Sequence, residues 1–189
     1  MVKKIKVISI ILIFICFFIR LYIYKSVTHN VEVQNRIIDQ VFHYDNSSSL
    51  VNDNLDTSSD NSFGEYLGYI FIPKFNIKCV IKNGTNDDVL NAGFVGIHGL
   101  SGSLGGNDMI ILAGHNISNV FSKLHSILNG DHIFINSYNF SRKFIVYDKR
   151  IVNEYDISHL LENRKNELLL ITCTKKSGER LLVFLKEVL

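Results

Sequence analysis

From residue 64 onward the chain is cut into seven short runs rich in β-branched and aromatic residues. They are LGYIFIP (67–73), IKCVI (77–81), DMIILA (108–113), DHIFIN (131–136), KFIVYDKRIV (143–152), ELLLITC (167–173) and RLLVFLKEV (180–188). Clusters of Gly, Asn, Asp or Pro punctuate them, the pattern of strands separated by turns. Only three brief stretches have helical character: 86–92, 117–128 and 156–163. Too few helices intervene for alternating βαβ units, so the sequence predicts a mainly β body, a barrel or a sandwich of antiparallel strands. No internal repeat is visible.

What precedes this body is of a different kind. Lys3, Lys4 and Lys6 lead into an almost uninterrupted apolar stretch from Val7 to Ile19, extended past Arg20 by LYIY, so that about 20 residues from Ile5 to Tyr24 are mostly apolar. About 20 such residues suffice to cross a bilayer as a helix. A cleaved signal peptide is the rival reading, but Arg20, two tyrosines and Lys25 stand where a small-residue cleavage site belongs. The expectation is a single-pass anchor over residues 1–25 with a cytoplasmic N-terminus, the lysines being on the inner side, and an extracellular body in the cell membrane. In residues 26–62, Val27, Val31, Gln34, Ile38, Val41 and Phe42 fall near helical spacing and predict a stalk helix. The run DNSSSLVNDNLDTSSDNS (45–62) is too polar to bury and is expected to be a flexible linker. The folded domain is then 63–189.

Charge follows the same division. The first 25 residues hold five of the 20 Lys and Arg and none of the 18 Asp and Glu, so the body is slightly acidic and the basic balance belongs to the anchor. A clustered basic face for nucleic acid is absent. The seven histidines are scattered, and no Cys or His pair has zinc-site spacing. Of the three cysteines, Cys16 lies in the apolar segment, leaving Cys79 and Cys173 in the body. A disulfide between them stays open, although Cys79, within NIKCVIK, reads as a small core hydrophobe.

Cys173 ends one strand and Arg180 starts the next, with TKKSGE (174–179) and its Ser-Gly turn signal between them. A symmetric hairpin places Cys173 opposite Arg180, 171 opposite 182 and 169 opposite 184. Thiol and guanidinium then share one face, with Cβ atoms roughly 4.5–5.5 Å apart. A cation there favours a thiolate and can steady an oxyanion. The nucleophile also needs an acid–base partner, and His115, following a buried strand and a glycine in MIILAGHN, is the candidate.

These motifs, in this order, resemble the sortase family: the IFIPKFNI run, the GT…VL…G segment, SLGGN leading to AGH, and LLLITC followed by arginine. The family pentapeptide T-L-x-T-C has Leu169 in place of its first threonine, while Leu170, Thr172 and Cys173 fit. The resemblance spans residues 64–189 and implies a closed antiparallel β-barrel of about eight strands with a few short helices, preceded by a transmembrane helix. It implies a cysteine transpeptidase with Cys173 as nucleophile, His115 as acid and base, and Arg180 holding substrate and oxyanion. His98, Asn116 and Thr172 are the further candidates for substrate contact. Implied partners are surface proteins ending in an LPXTG-like signal and an amine acceptor on a cell-wall precursor or a pilin-like protein. No cofactor is required by the resemblance; calcium assists some members through acidic loop residues, and calcium stimulation stays open here. The short 148–167 connection and the lack of a second apolar segment after residue 189 favour a compact class A, D or E form. The alternatives are a thiol peptidase releasing peptide to water and a non-catalytic binding module of the same fold.

Overall fold

The computed structural model describes residues 2–42, 66–162 and 164–188; within the N-terminal helix, side chains are described at 11–25, 28–29 and 31–39. Contacts divide the chain into two units, Met1–Val33 and Gln34–Leu189. Helix α1 (Val2–Phe42) is continuous through the segments expected as anchor and stalk. Its described apolar side chains, residues 11–24, are largely exposed. Among the described residues no helix is long and apolar enough to cross a membrane. The expected linker, 45–62, lies outside the described residues.

The second unit is built around eight strands. β1 (Tyr66–Ile72) turns through a single 3-10 turn, Pro73–Phe75, into β2 (Ile77–Asn83). Proline presets the turn's first φ, and Asn76 takes the left-handed conformation (φ 51°) that ends it. The short helix α2 (Asp87–Asn91), capped by the Asn86 side chain accepting the Val89 N–H, leads to β3 (Val95–Ile97) and β4 (Ile110–Ala113). β5 (His132–Asn136), β6 (Ser141–Asn153), helix α3 (Ser158–Leu161), β7 (Glu167–Cys173) and β8 (Glu179–Val188) follow. The strands close in the order β1-β2-β3-β4-β7-β8-β6-β5.

The closed eight-strand barrel is as expected, but it is not wholly antiparallel. β2 pairs with β3, and β4 with β7, in parallel. Parallel neighbours need a crossover, and the chain supplies one through α2 and another through β5, β6 and α3. β3 has only three residues, too few to stand out within GFVGIHG. The expected helix over 117–128 does not form. Asn119 adopts φ 68°, only Leu124–Ser126 makes a 3-10 turn, and Val120, Phe121, Leu124 and Ile127 pack into the core from an irregular segment.

Side-chain alternation sorts each strand into an inner and an outer set. Leu168 and Leu170 of β7 join Ile110, Leu112, Leu181 and Val183 in the barrel interior. Leu169, Leu182 and Phe184 lie on the outer face with Met109 and Ile111, where Leu160 of α3 and Tyr147 pack over them. A second device holds the long β3–β4 loop to the wall. Arg142, only 9% exposed, donates from Nε and Nη2 to both oxygens of Glu187 (2.7 and 2.6 Å) and from Nη1 to the carbonyls of Leu104 (2.8 Å) and Gly106 (2.7 Å). The guanidinium's planar fork satisfies carboxylate and loop together.

Those hydrogen bonds from Arg142 hold the Glu187 carboxyl below its ordinary range. A depressed folded pKa gives stability that is present above the unfolded value, about 4.3, and is lost as pH falls through the lowered one. Glu187→Gln is therefore expected to flatten the fall in melting temperature between about pH 5 and about pH 3. Arg142→Leu, which strands the carboxylate, is expected to cost about 3 kcal/mol in denaturant unfolding at neutral pH.

Candidate active site

The β7–β8 hairpin has the symmetric register expected of it. Cys173 pairs with Arg180, Ile171 with Leu182 and Leu169 with Phe184. The connecting loop closes with the Thr174 N–H donating to the Glu179 carbonyl (3.2 Å), and Gly178 takes φ 78°, a conformation glycine adopts without strain. Since Leu170 faces the interior, Ile171 is out of phase with it and Cys173 lies on the outer face, half-buried at the strand end. Thr172, between them, is buried.

β4 brings the imidazole to the same edge. The parallel ladder runs from Ile110↔Leu168 to Ala113↔Ile171 and is extended by the Gly114 N–H donating to Ile171 O (3.0 Å). Two residues beyond the last pair, one strand reaches His115 and the other Cys173. Glycine is required between Ala113 and His115: a Cβ at Gly114 would stand 2.8 Å from a Phe121 ring carbon and 2.9 Å from Val120. The packed 120–121 segment thus lies directly under the exit that delivers the histidine. His115 Nε2 lies 3.0 Å from Asn91 Oδ1 at the end of α2. In the neutral ring, an Nε2–H donated to that oxygen leaves Nδ1 as the nitrogen free to exchange a proton.

Arg180 is flanked on both sides, by Cys173 of β7 and by Val152 of β6. Its Nη2 lies 2.8 Å from Glu154 Oε2, and the Glu154 N–H donates to Gly178 O (2.9 Å), so the carboxylate that holds the guanidinium is itself tied to the hairpin turn. Lys176 lies in the loop, engaged by Glu179 at 2.7 Å, whereas Arg180 stands in the ladder directly opposite Cys173. A cleft of about 330 Å³ between the β3–β4 loop and α3, lined by Leu100, Ser101, Met109, Leu160 and Leu161, includes none of Cys173, His115 and Arg180.

The other candidates are placed differently. His98 sits past β3, its N–H on Ile111 O, which is short of the strand exit that carries His115. Its Nδ1 accepts the Leu100 N–H (3.2 Å), and burial pushes the imidazole below its ordinary value. It lines a cavity of about 390 Å³ with Leu67, Asn83, Ser137 and Phe140, a lining that includes none of Cys173, His115 and Arg180. Asn116 is half-buried in the turn after the histidine. The Thr172 hydroxyl is buried without a hydrogen-bond partner among the described residues. Cys79 is 1% exposed and free, its thiol donating to Asn119 O (2.7 Å), and Cys173 is free as well. Among the described residues no group of three or more His, Cys, Asp and Glu side chains could hold a metal ion.

Two residues at the site are absent from the motifs. Asn91 and Glu154 carry no spacing signal toward His115 and Arg180, because α2 and the end of β6 reach the site only through the closed barrel. The arrangement as a whole offers a thiol, an imidazole with one nitrogen held, and a guanidinium with a fixed fork, all at one barrel edge. Such groups can carry nucleophilic attack and stabilise a developing oxyanion.

A family model described as the sortase domain matches residues 70–188. Among solved structures, sortase A from Corynebacterium diphtheriae is 27% identical with a TM-score of 0.59, covering 66% of this chain, which spans 61% of that one. A sortase D5 transpeptidase from Clostridium perfringens is 25% identical at a TM-score of 0.60, with coverages of 67% and 81%. Sortase C from Clostridium perfringens SM101 shares the fold at 24% identity and a TM-score of 0.61, covering 87% of this chain and 88% of its own. No curated protein matches the chain.

The two body cysteines differ enough to be separated by reactivity. Burial pushes the Cys79 thiol up to about 12. At neutral pH, iodoacetamide is expected to modify Cys173 in the native protein while Cys79 reacts only after denaturant is added, as read by peptide mass spectrometry. Comparable native labelling of Cys79 would contradict its placement.

Proposed function

The chain belongs to the sortase family, and from that premise we propose that it is a membrane-anchored cysteine transpeptidase acting on proteins with an LPXTG-like sorting signal. The observation that carries the reading is the Cys173↔Arg180 pairing beside the strand exit that carries His115. In the first half-reaction Cys173 Sγ bonds to the threonine carbonyl carbon, the Thr–Gly C–N bond breaks, and His115 gives the departing amine its proton. In the second, an acceptor amine attacks the thioester, loses its proton to His115 and expels the thiolate. Arg180, steadied by Glu154, holds the substrate and the oxygen that becomes negative in each tetrahedral intermediate. Asn91 acts through His115 as a positioning residue. Thr172 and Asn116 adjoin the reacting groups in sequence, and substrate contact from Thr172 falls to its backbone because its side chain is buried. His98 contributes to a neighbouring wall.

Membrane attachment belongs to the same reading. It rests on the apolar sequence from residue 5 to 24 and on the exposure of its described side chains, Phe14, Phe17, Phe18 and Tyr22 among them. The body then works outside the cell, within reach of exported clients and of amines on cell-wall precursors or pilin-like proteins. The test is incubation of full-length protein with an LPXTG peptide and either oligoglycine or a diaminopimelate-type amine. Mass spectrometry should find the joined product and a thioacyl adduct on Cys173. Release to water alone with every amine would favour the peptidase reading, and binding without turnover the non-catalytic module.

Cys173→Ala is expected to abolish transfer with peptide binding and melting temperature nearly unchanged. Arg180→Lys keeps the charge but loses the planar fork, so kcat/KM is expected to fall roughly 10²-fold with little change in stability. Lys175→Ala and Lys176→Ala should lose far less. Near-normal turnover in Arg180→Lys would show that another group stabilises the oxyanion.

A further inference from the structure

We propose that the last turns of α1 are a working part of the catalytic unit: Gln34 and Ile38 dock against the outer wall at β2 and α2 and thereby hold Asn91 against His115. The inference rests on the reading of His115 given above, and it adds a role for a segment that otherwise only tethers.

Gln34 is a buried polar residue with both ends of its carboxamide engaged. Its Oε1 accepts the Val80 N–H at 2.9 Å, and its Nε2 donates to the Gly93 carbonyl at 3.0 Å. Val80 lies one residue before the β2–β3 ladder opens at Ile81↔Val95, and Gly93 two residues before the same point. The side chain therefore bridges two segments where backbone partners are not yet available. Buried backbone groups require such partners, so the carboxamide is built into the sheet edge. One turn later Ile38, 1% exposed, completes an apolar cluster with Val80, Val89 and Phe94.

Val89 is the centre of α2. That helix has five residues, too few to persist on its own, and it depends on its cap and on tertiary packing. Beneath Ile38 its backbone is tied off by Leu90 N–H to Asn86 O, Gly93 N–H to Leu90 O and Phe94 N–H to Val89 O. Its final residue is Asn91, whose Oδ1 meets His115 Nε2. Each link is a direct contact, from Gln34 and Ile38 to Gly93 and Val89, along α2 to Asn91, and from Asn91 to the imidazole. Loosening the dock uncovers the apolar cluster that Val89 and Leu90 of α2 pack into and lets the histidine lose its held nitrogen.

The test uses full-length protein in detergent micelles, with Gln34→Ala and Ile38→Ser as disrupting variants and Ile38→Val as the conservative control. Amide exchange at Leu90, Gly93 and Phe94 should speed up roughly tenfold in the disrupting variants while β7 and β8 amides keep their protection. Diethyl pyrocarbonate should modify His115 roughly threefold faster, since Nε2 is no longer held. In peptide transfer kcat should fall several-fold with KM nearly unchanged, and Ile38→Val should behave as the parent does. Unchanged exchange around α2 would overturn the dock. Faster exchange with unaltered His115 reactivity would overturn the link from α2 to the histidine. Failure of the transpeptidase reading would appear separately, as absence of transfer by the parent protein, with exchange and His115 modification still reporting on the dock.

Discussion

The backbone pairing of Leu170 with Val183, and of each neighbour in the β7–β8 ladder, decides which side of the barrel wall the thiol occupies. With the observed register, Leu168 and Leu170 fill the interior and Leu169, Ile171 and Cys173 take the outer phase. A slip of one residue would carry leucines to the surface and the thiol into the core, a displacement opposed by every buried side chain of both strands. Packing energy spread through the barrel therefore fixes the position of a single sulfur atom. The parallel β4–β7 ladder does the same for His115, with Gly114 allowing the chain to pass over Phe121 on the way.

Around this frame the polar groups act as restraints. Asn91 takes one nitrogen of the imidazole, Glu154 takes one side of the guanidinium, and Arg142 with Glu187 pins the β3–β4 loop that borders the cleft. The last of these is the most buried, and it is the one whose loss leaves an uncompensated charge in the wall. The other two are more open to solvent, where a held geometry matters more than Coulomb energy. Such a division suits acyl transfer, in which stabilisation comes from donors already aimed at the charge that develops.

Much of this was legible in the sequence because it is encoded locally. Alternation and a six-residue loop sufficed to pair Cys173 with Arg180, and the apolar character of NIKCVIK sufficed to bury Cys79. The parallel pairings were not legible, since alternation has the same period in either direction and nothing local in β2 or β4 specifies which way its neighbour runs. The 117–128 segment misled because its apolar spacing suits a helix, whereas its side chains found burial around Asn119 in irregular backbone. Asn91, Glu154 and Gln34 were illegible for one reason: each is a polar residue of ordinary type whose partner is far along the chain. His98 drew notice by type and by its neighbourhood in the sequence, yet it faces a cavity away from the thiol.

The two ladders that meet at the site differ in how far along the chain they reach. β7 and β8 are joined by a short loop, and hairpins of that kind form within microseconds. β4 and β7 are separated by β5, β6 and α3, and long-range parallel pairing is slow because loop-closure entropy must be overcome before any contact rewards it. The Cys173–Arg180 pairing is thus the low-cost closure, and the ladder that aligns β4 with β7 the costly one. Cys173, Arg180 and His115 therefore share one barrel edge only where both ladders are formed.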